Sequence, residues 1–227
     1  YMPPSQLRPS IWWAIDTHLN FDRCLQKAQR CNIVFSAQRG GVESFRSYGI
    51  DAEWLPLACD PVLHRPHQLG NEFDWCFVGH LIGNERQHLI KRMQQEFPNG
   101  FVGQRFFEEM ASTYSQSRVV FNRSIKDDVN MRVFEALACG SLLVTNDLAT
   151  NGLAELFQSG IHLVTYQTEH DLIDRVRYYL AHDEERETIA AAGRREVLAK
   201  HTYRHRMERI LHSLISRLST RADTLAS

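Results

Sequence analysis

The sequence lacks an excess of positive charge: 26 lysine and arginine residues stand against 27 aspartate and glutamate residues, for a net charge of -1. Proteins that hold nucleic acid or anionic membranes through charge need a cationic surface. We therefore expect no nucleic-acid partner, and any phosphate that the protein binds should belong to a small molecule.

Long apolar runs and metal-binding patterns are also missing. No run approaches the roughly 20 apolar residues of a membrane-spanning helix, and the first residues, YMPPS, lack the basic and apolar regions of a signal peptide. The five cysteines are scattered without C-x-x-C or zinc-knuckle spacing. His201 and His205 have no acidic or thiol residue nearby to complete a metal site. The sequence thus predicts a cytoplasmic protein with reduced cysteines, no transmembrane segment, no metal and no cofactor.

What the sequence does contain is 43% apolar residues and short strand patterns that alternate with amphipathic helical patterns, which is typical of parallel α/β sheets. A segment without periodicity over 58–70 divides two such series. We predict a partial N-terminal domain with its linker over 1–66, a second domain over 67–200, and a C-terminal helix and tail over 201–227. The predicted strands cover 11–15, 33–36, 53–57, 73–79, 100–103, 119–121, 141–145 and 161–165, and the predicted helices cover 21–30, 41–48, 84–97, 106–117, 130–138, a segment capped by Thr168, 183–200 and 203–218.

Ligands of open parallel sheets collect where strands end and helices begin, and two turns of the second series have suitable residues. After the strand over 73–79, Gly79 and His80 lead to Arg86, which could donate to an anion. The alternative is that Gly79 only forms the turn, since glycine is common after a strand. After 100–103, Gly103, Arg105 and Phe106 could hold a base. The favoured alternative is that Phe106 and the next phenylalanine begin a buried helix face. Dinucleotide and P-loop fingerprints are missing.

A third turn is the most informative. The helix predicted over 130–138 stops at Gly140, so its N-terminus points into a loop that follows a strand. Because helical side chains lean toward the N-terminus, Glu135 projects toward the free N–H groups. One interpretation places a diphosphate on those groups and sugar hydroxyls on the carboxylate. The other is that Glu135 only complements the helix dipole, worth about 0.3 to 1 kcal/mol.

Asp127 and Glu135, eight positions apart, together with the run FEALACGS over 134–141, resemble the E-x7-E donor-site signature of GT-B glycosyltransferases. Flanking segments are also similar to that family, and the similarity covers most of 11–218. They are the strand and serine turn over 119–124, the strand over 142–147, the glycine and glutamate loop over 152–157, and the segment LPLACD with Pro66. The runs VNMRVFE and HTY resemble the spore-maturation (CgeB-like) branch of group 1 glycosyltransferases more closely still.

The resemblance implies two Rossmann-like α/β/α domains, the N-terminal one truncated, with the last helix crossing back onto it. It also implies a role for each matching residue of the donor site. Glu135 would bind the ribose of a nucleotide-sugar, and Asp127 and Asp128 would lie near the transferred sugar. The diphosphate would be held by Arg86, Arg132 and the N–H groups of Val129, Asn130 and Met131, with Gly79 and His80 nearby, while Gly103, Arg105 and Phe106 would cover the base. Two departures are Asp127 in place of glutamate and His80 in place of the more usual arginine.

The implied function is transfer of a sugar from a nucleotide-sugar, with a UDP-sugar favoured, to an unknown acceptor that could be a glycan, a protein or a small molecule. Metal independence and retention of configuration come with the family, and an inverting reaction would need a base such as Asp16 or His18, although Asp16 more simply caps a turn. The assignment requires that Glu135 is not sealed in the apolar interior. The short first domain implies either a fragment of a longer chain or a homo-oligomer that supplies acceptor surface. The alternatives are a non-catalytic nucleotide-sugar or glycan-binding module and a sugar-nucleotide epimerase.

Overall fold

The computed structural model describes residues 9–126, 128–148 and 151–226, with side chains as far as Ser219. The described chain forms two compact units, one from the residues up to Leu57 together with those from Tyr203 onward, and one from Ala58 to Thr202. The aperiodic segment over 58–70 therefore belongs to the second unit. Among the described residues, no helix combines the length and the apolar character needed to cross a bilayer.

The first unit is built on a parallel sheet of three strands in the order β1-β2-β3. Its elements are β1 (Ile11–Ala14), α1 (Phe21–Ala28), β2 (Ile33–Ser36), α2 (Arg39–Ser47), β3 (Ala52–Trp54) and α9 (Tyr203–Ala226). Ile11 pairs with Ile33, and Val34 pairs with Ala52. Phe45 of α2 is fully buried in the cluster that covers one face of this sheet, which is the arrangement that strand-helix-strand alternation predicts.

The C-terminal helix α9 returns to this first sheet. Ile210 and Leu214 pack on the cluster of Ile33, Phe35 and Leu55. The Arg206 guanidinium is buried and donates to the carbonyl oxygens of Pro56 at 2.7 Å and Leu57 at 3.0 Å. Further along, Arg209 and Arg217 pair with Glu53 at 2.9 and 3.3 Å. The predicted return of the last helix onto the N-terminal series is therefore confirmed for Ile210 and Leu214, whereas Met207, Leu211 and Leu218 of the same helix are exposed.

The second unit contains a parallel sheet of five strands in the order β5-β4-β6-β7-β8. Its elements are β4 (Phe73–Val78), α3 (Asn84–Glu96), β5 (Gly100–Gly103), α4 (Phe107–Ser115), β6 (Ser117–Asn122), α5 (Met131–Ala138), β7 (Leu142–Asn146), α6 (Leu153–Leu156), β8 (Val164–Tyr166), α7 (Glu169–Ala181) and α8 (Asp183–Lys200). Trp75, Phe77 and Phe121 are fully buried in its core. Strand β6 lies at the centre of the sheet, so the loop that follows it opens at the middle of the carboxyl edge.

Local sequence signals place most elements, with three exceptions. Strand β3 ends at Trp54 rather than at residue 57, since only Leu55 continues the pairing, at 2.8 Å to the Ser36 carbonyl, and Pro56 has no N–H to donate. Strand β8 begins at Val164 rather than at residue 161, after a turn at Gly160 with φ of 80°. The short helix α6 was not predicted. The Thr168 cap is confirmed: its hydroxyl accepts from the Asp171 N–H at 3.1 Å.

Gly193 of α8 provides a test of how tightly α8 packs. A Cβ at this position would overlap the His162 carbonyl oxygen and lie 2.8 Å from Cδ2 of Leu137 in α5. Glycine to alanine normally stabilises a helix by about 1 kcal/mol, but here Gly193→Ala should destabilise the second unit by about 1 to 3 kcal/mol through overpacking. Urea unfolding measures the difference in free energy of unfolding between Gly193→Ala and the wild type. Gly40→Ala in α2, where nothing lies within 4 Å of the added carbon, is the control and should be neutral or stabilising.

Candidate functional site

Helix α5 begins at the carboxyl edge of the second sheet, one loop after β6. Asn130 is its N-cap residue and makes no side-chain hydrogen bond to the first turn. The first N–H groups of a helix lack intrahelical partners and carry partial positive charge. Met131, the first helical residue, is 40% exposed. The N-terminus of α5 therefore offers hydrogen-bond donors toward solvent.

Asparagine side chains fix where α5 starts relative to the sheet. Asn122, fully buried at the end of β6, donates through Nδ2 to Thr145 Oγ1 at 3.0 Å. Its Oδ1 accepts from Arg132 Nη1 at 2.5 Å and from Asn130 Nδ2 at 3.3 Å. At the end of β7, Asn146 Oδ1 accepts from the Ser124 N–H at 2.8 Å. The sheet edge, the loop and the first turn of α5 thus form one hydrogen-bonded assembly.

Two buried polar atoms of this assembly have no hydrogen-bond partner among the described residues: Oδ1 of Asn130 and Nδ2 of Asn146. Asn146 is only 4% exposed. Buried polar groups are nearly always satisfied, so such exceptions are typical of sites that bind a ligand or water. Asn122 and Asn146 are not among the site residues that the sequence predicts. A sequence pattern that indicates them is their position at the ends of two adjacent parallel strands, at the edge where α5 begins.

Arg132 lies beneath the loop that follows β4. Its Nε and Nη2 donate to the Val78 carbonyl oxygen at 2.9 and 2.6 Å, and its guanidinium carbon lies 4.5 Å from the ring centre of Phe77. Gly79 has φ of 150°, and a Cβ there would overlap the Arg132 guanidinium. Gly79 therefore makes room for an arginine. The predicted contact of Gly79 with phosphate stays a prediction.

Arg86 of α3 is also buried, and its donors are used within the protein. Nε and Nη2 donate to the Arg123 carbonyl oxygen at 2.9 and 2.6 Å, and Nη1 donates to that of His80 at 3.0 Å. Burial, followed by the positive charges of Arg132 and Arg123, lowers the pKa of Arg86 to about 10, so it remains charged at neutral pH. In the described part of the chain neither Arg86 nor Arg132 forms an ion pair, which leaves positive charge at this edge.

Glu135 lies close enough to Arg132 for the charge of the guanidinium to act on its carboxyl group. It is 8% exposed, so it lies mostly below the surface without being sealed. No described residue makes a hydrogen bond to its carboxyl group, and Nε2 of His64 lies 3.8 Å from Oε1. Burial raises the pKa of Glu135 to about 7, with Arg132 opposing the shift. A buried carboxyl group without hydrogen bonds is costly, and such groups concentrate at functional sites.

The loop after β5 presents exposed aromatic rings. Phe106 and Phe107 are 63% and 69% exposed, so the expectation that they begin a buried helix face is wrong. Phe107 has φ of 51°, an unusual conformation for a bulky side chain. The exposed Arg105 packs over the Phe101 ring at 4.7 Å. Gly103 accepts from the Gly79 N–H at 2.9 Å, which joins this loop to the one after β4.

The remaining predicted residues have varied surroundings. His80 is exposed, Val129 is 3% exposed and Asp128 is 7% exposed, and the Asp128 carbonyl oxygen accepts from the Ser124 hydroxyl. Asp127 lies outside the described residues. In the first unit, Asp16 has φ of 60° and its carbonyl oxygen accepts from the N–H of Leu19 at 3.0 Å, so it lies in a turn after β1. His18, half-buried, belongs to the same turn.

Solved structures with the same architecture come from glycosyltransferases. HepE from Anabaena in complex with UDP-glucose has a TM-score of 0.71 and 14% identity, over 92% of this chain and 72% of that one. Sucrose-phosphate synthase from Thermosynechococcus elongatus has a TM-score of 0.65 and 17% identity, over 89% of this chain and 64% of that one. The chain thus spans less than two thirds of the synthase. A glycosyltransferase from Rickettsia africae has a TM-score of 0.63 and 10% identity, over 79% of this chain and 62% of that one.

No curated protein matches the sequence significantly. A family model described as glycosyl transferase-like matches residues 73–212, which is more than half of the chain. The matched range runs from β4, through the α5 site, into α9. The chain therefore belongs to this glycosyl transferase-like family, and it has the α/β architecture of GT-B glycosyltransferases with parallel sheets in both units.

Proposed function

We propose that the second unit binds a nucleotide-sugar, with a UDP-sugar favoured, and that the protein transfers its sugar to an acceptor. The observation that carries this proposal is Glu135, a buried carboxyl group without a hydrogen bond from any described residue, close enough to the Arg132 guanidinium for its charge to act on it. A carboxyl group that accepts no hydrogen bond from the described protein is suited to the hydroxyls of a ligand. Two vicinal hydroxyls of a ribose would supply the missing donors.

The diphosphate would lie on the first turn of α5. Of the N–H groups predicted from the sequence, that of Asn130 donates to the Asp128 carbonyl oxygen at 3.0 Å. Those of Met131 and of the next residue, Arg132, would donate toward an anion. The Arg132 guanidinium adds positive charge, although its hydrogen bonds hold Val78 and Asn122 in place. Arg86 acts at longer range, since its donors are occupied by carbonyl oxygens. This fixed field would stabilise the nucleoside diphosphate as negative charge develops on it during transfer.

The base would lie against the loop after β5, where Phe106 offers an exposed ring for stacking. Asp127 and Asp128 would lie near the transferred sugar, as the family signature implies, and His18 would serve as base only in an inverting reaction. We further propose retention of configuration, no metal requirement and membership of the spore-maturation branch. The HepE structures in complex with UDP and with UDP-glucose support the choice of nucleotide.

The proposal is tested by thermal unfolding in the presence of UDP-, GDP-, dTDP- and ADP-sugars. A ligand that binds only the native state raises the unfolding temperature by mass action, about 2.7 kcal/mol at a hundredfold excess over Kd. We expect UDP-glucose or a related UDP-sugar to give the largest rise, and free glucose to give none. Release of radiolabelled sugar from the same donor then separates an enzyme from a binding module. No stabilisation by any nucleotide-sugar would contradict the proposal.

A further inference from the structure

His64 belongs to a tight turn in the segment that links the predicted domains. The His64 N–H donates to the Asp60 carbonyl oxygen at 2.8 Å, and the Asp60 N–H donates back to His64 Nδ1 at 3.1 Å. Asp60 Oδ1 also accepts from the N–H of Val62 at 2.8 Å. These bonds fix the imidazole ring, which is buried at 6% exposure. The His64 ring therefore has one fixed position, although it belongs to a segment outside the helices and strands.

The hydrogen bond at Nδ1 determines which ring nitrogen carries the proton. Because Nδ1 accepts from a backbone N–H, the neutral ring must be protonated at Nε2. Burial lowers the pKa of His64, with Asp60 opposing the shift, so the ring is neutral at physiological pH. Nε2 then presents an N–H group, and it lies 3.8 Å from Oε1 of Glu135. This donor faces the carboxyl group to which the proposed function assigns the ribose.

We propose that His64 is a positioning residue of the donor site: its Nε2–H orients the Glu135 carboxylate so that both oxygens can receive ligand hydroxyls. The inference rests on the proposed function and goes beyond it by assigning a role to a residue outside the family signature. The 3.8 Å separation is about 1 Å longer than a hydrogen bond. Hydrogen bonds at catalytic sites are often long without substrate and shorten in the complex.

Among the described residues, no lysine, arginine or other histidine has a side-chain nitrogen within 4.0 Å of the Glu135 carboxylate. Arg132, on the same helix, uses its guanidinium on Val78 and Asn122. Burial raises the pKa of Tyr114 of α4 and of Cys139 at the end of α5, so both side chains keep their protons, but neither side chain makes a hydrogen bond to the Glu135 carboxyl group. Arg194 of α8 donates to the Ala138 carbonyl oxygen at the opposite end of α5. His64 is therefore the histidine of the described chain that can donate a ring N–H to this carboxyl group.

Two substitutions separate the contribution of Nδ1 from that of Nε2. In His64→Asn, the amide oxygen can replace Nδ1 as acceptor for the Asp60 N–H, but no donor reaches Glu135. In His64→Gln, the longer side chain places an amide N–H close to the position of Nε2. We expect His64→Asn to weaken UDP-glucose binding about five- to tenfold, the effect of one hydrogen bond to a charged group, and His64→Gln to recover most of the affinity. His67→Asn, in the same segment, is the control and should bind as the wild type does.

A pH titration of binding distinguishes positioning from mere structural support. Losing the Nε2–H donor makes the Glu135 carboxylate less stable, so in His64→Asn the midpoint of the affinity profile should move to higher pH, and His64→Gln should restore it. In the ligand-free protein, ¹⁵N NMR should show His64 protonated at Nε2. A folded His64→Asn protein with wild-type affinity and midpoint, or a ring protonated at Nδ1, would overturn the inference while leaving the donor site intact. Failure of the wild-type protein to bind any nucleotide-sugar would overturn both.

Discussion

Replacing Glu135 by glutamine should strongly weaken nucleotide-sugar binding and at the same time stabilise the free protein. Burial raises the pKa of Glu135 from 4.5 to about 7, and one pKa unit corresponds to about 1.4 kcal/mol. The ionised carboxylate therefore costs the native state about 3 kcal/mol at pH 8. Glutamine keeps the shape and removes this cost. It also removes the charged acceptor for two ribose hydroxyls, so UDP-glucose affinity should fall about a hundredfold.

Urea unfolding at pH 8 and calorimetric titration with UDP-glucose measure the two effects in one pair of proteins. Glu187→Gln is the control, since that side chain is 74% exposed on α8; both its stability and its affinity should stay near the wild-type values. A gain in stability with loss of binding is typical of residues that serve a ligand at the expense of the fold. Wild-type affinity in Glu135→Gln would contradict the assignment of this residue.

The affinity for UDP-glucose should rise with pH through the range in which Glu135 ionises. Ligand hydroxyls donate to the carboxylate, so binding favours the ionised form and releases a proton. Below the free-state pKa of about 7, affinity should fall about tenfold for each pH unit. UDP-glucose suits this experiment because its diphosphate is esterified at both ends and has no proton to lose in this range. The Glu135→Gln protein should show a flat profile.

The contribution of Glu135 to the stability of the ligand-free protein, measured as the difference in unfolding free energy between the wild type and Glu135→Gln, should change with pH in the opposite direction. A carboxyl group with a raised native pKa binds its proton more tightly when folded, so its penalty is present above pH 7 and is relieved as pH falls toward 4.5. Affinity and stability therefore diverge between pH 4.5 and about 7. Calorimetric titrations and urea unfolding at matched pH values check both slopes. An affinity slope that survives in Glu135→Gln would show that another group controls binding.

The sequence by itself determined the parts of this protein that depend on near neighbours. Alternating strand and helix patterns predicted the parallel sheets, helix α8 was predicted at its observed bounds, and the Thr168 cap was predicted from a spacing of three residues. The loop that leads into α5 also came from a local pattern, and Glu135 was chosen as a candidate because residues 127–141 resemble the family signature. Such features follow from backbone preferences and short hydrogen bonds, which act over a few residues.

Only the tertiary structure decided how these groups are used. It brought His64 from an aperiodic segment to 3.8 Å from Glu135, and it committed the Arg86 guanidinium to two carbonyl oxygens. It also left Phe106 exposed and one amide nitrogen of Asn146 without a partner among the described residues. Burial and hydrogen-bond satisfaction depend on which distant segments pack together. That packing is set by the whole chain, so no local pattern could reveal that the Glu135 carboxyl group is buried without a hydrogen bond from any described residue.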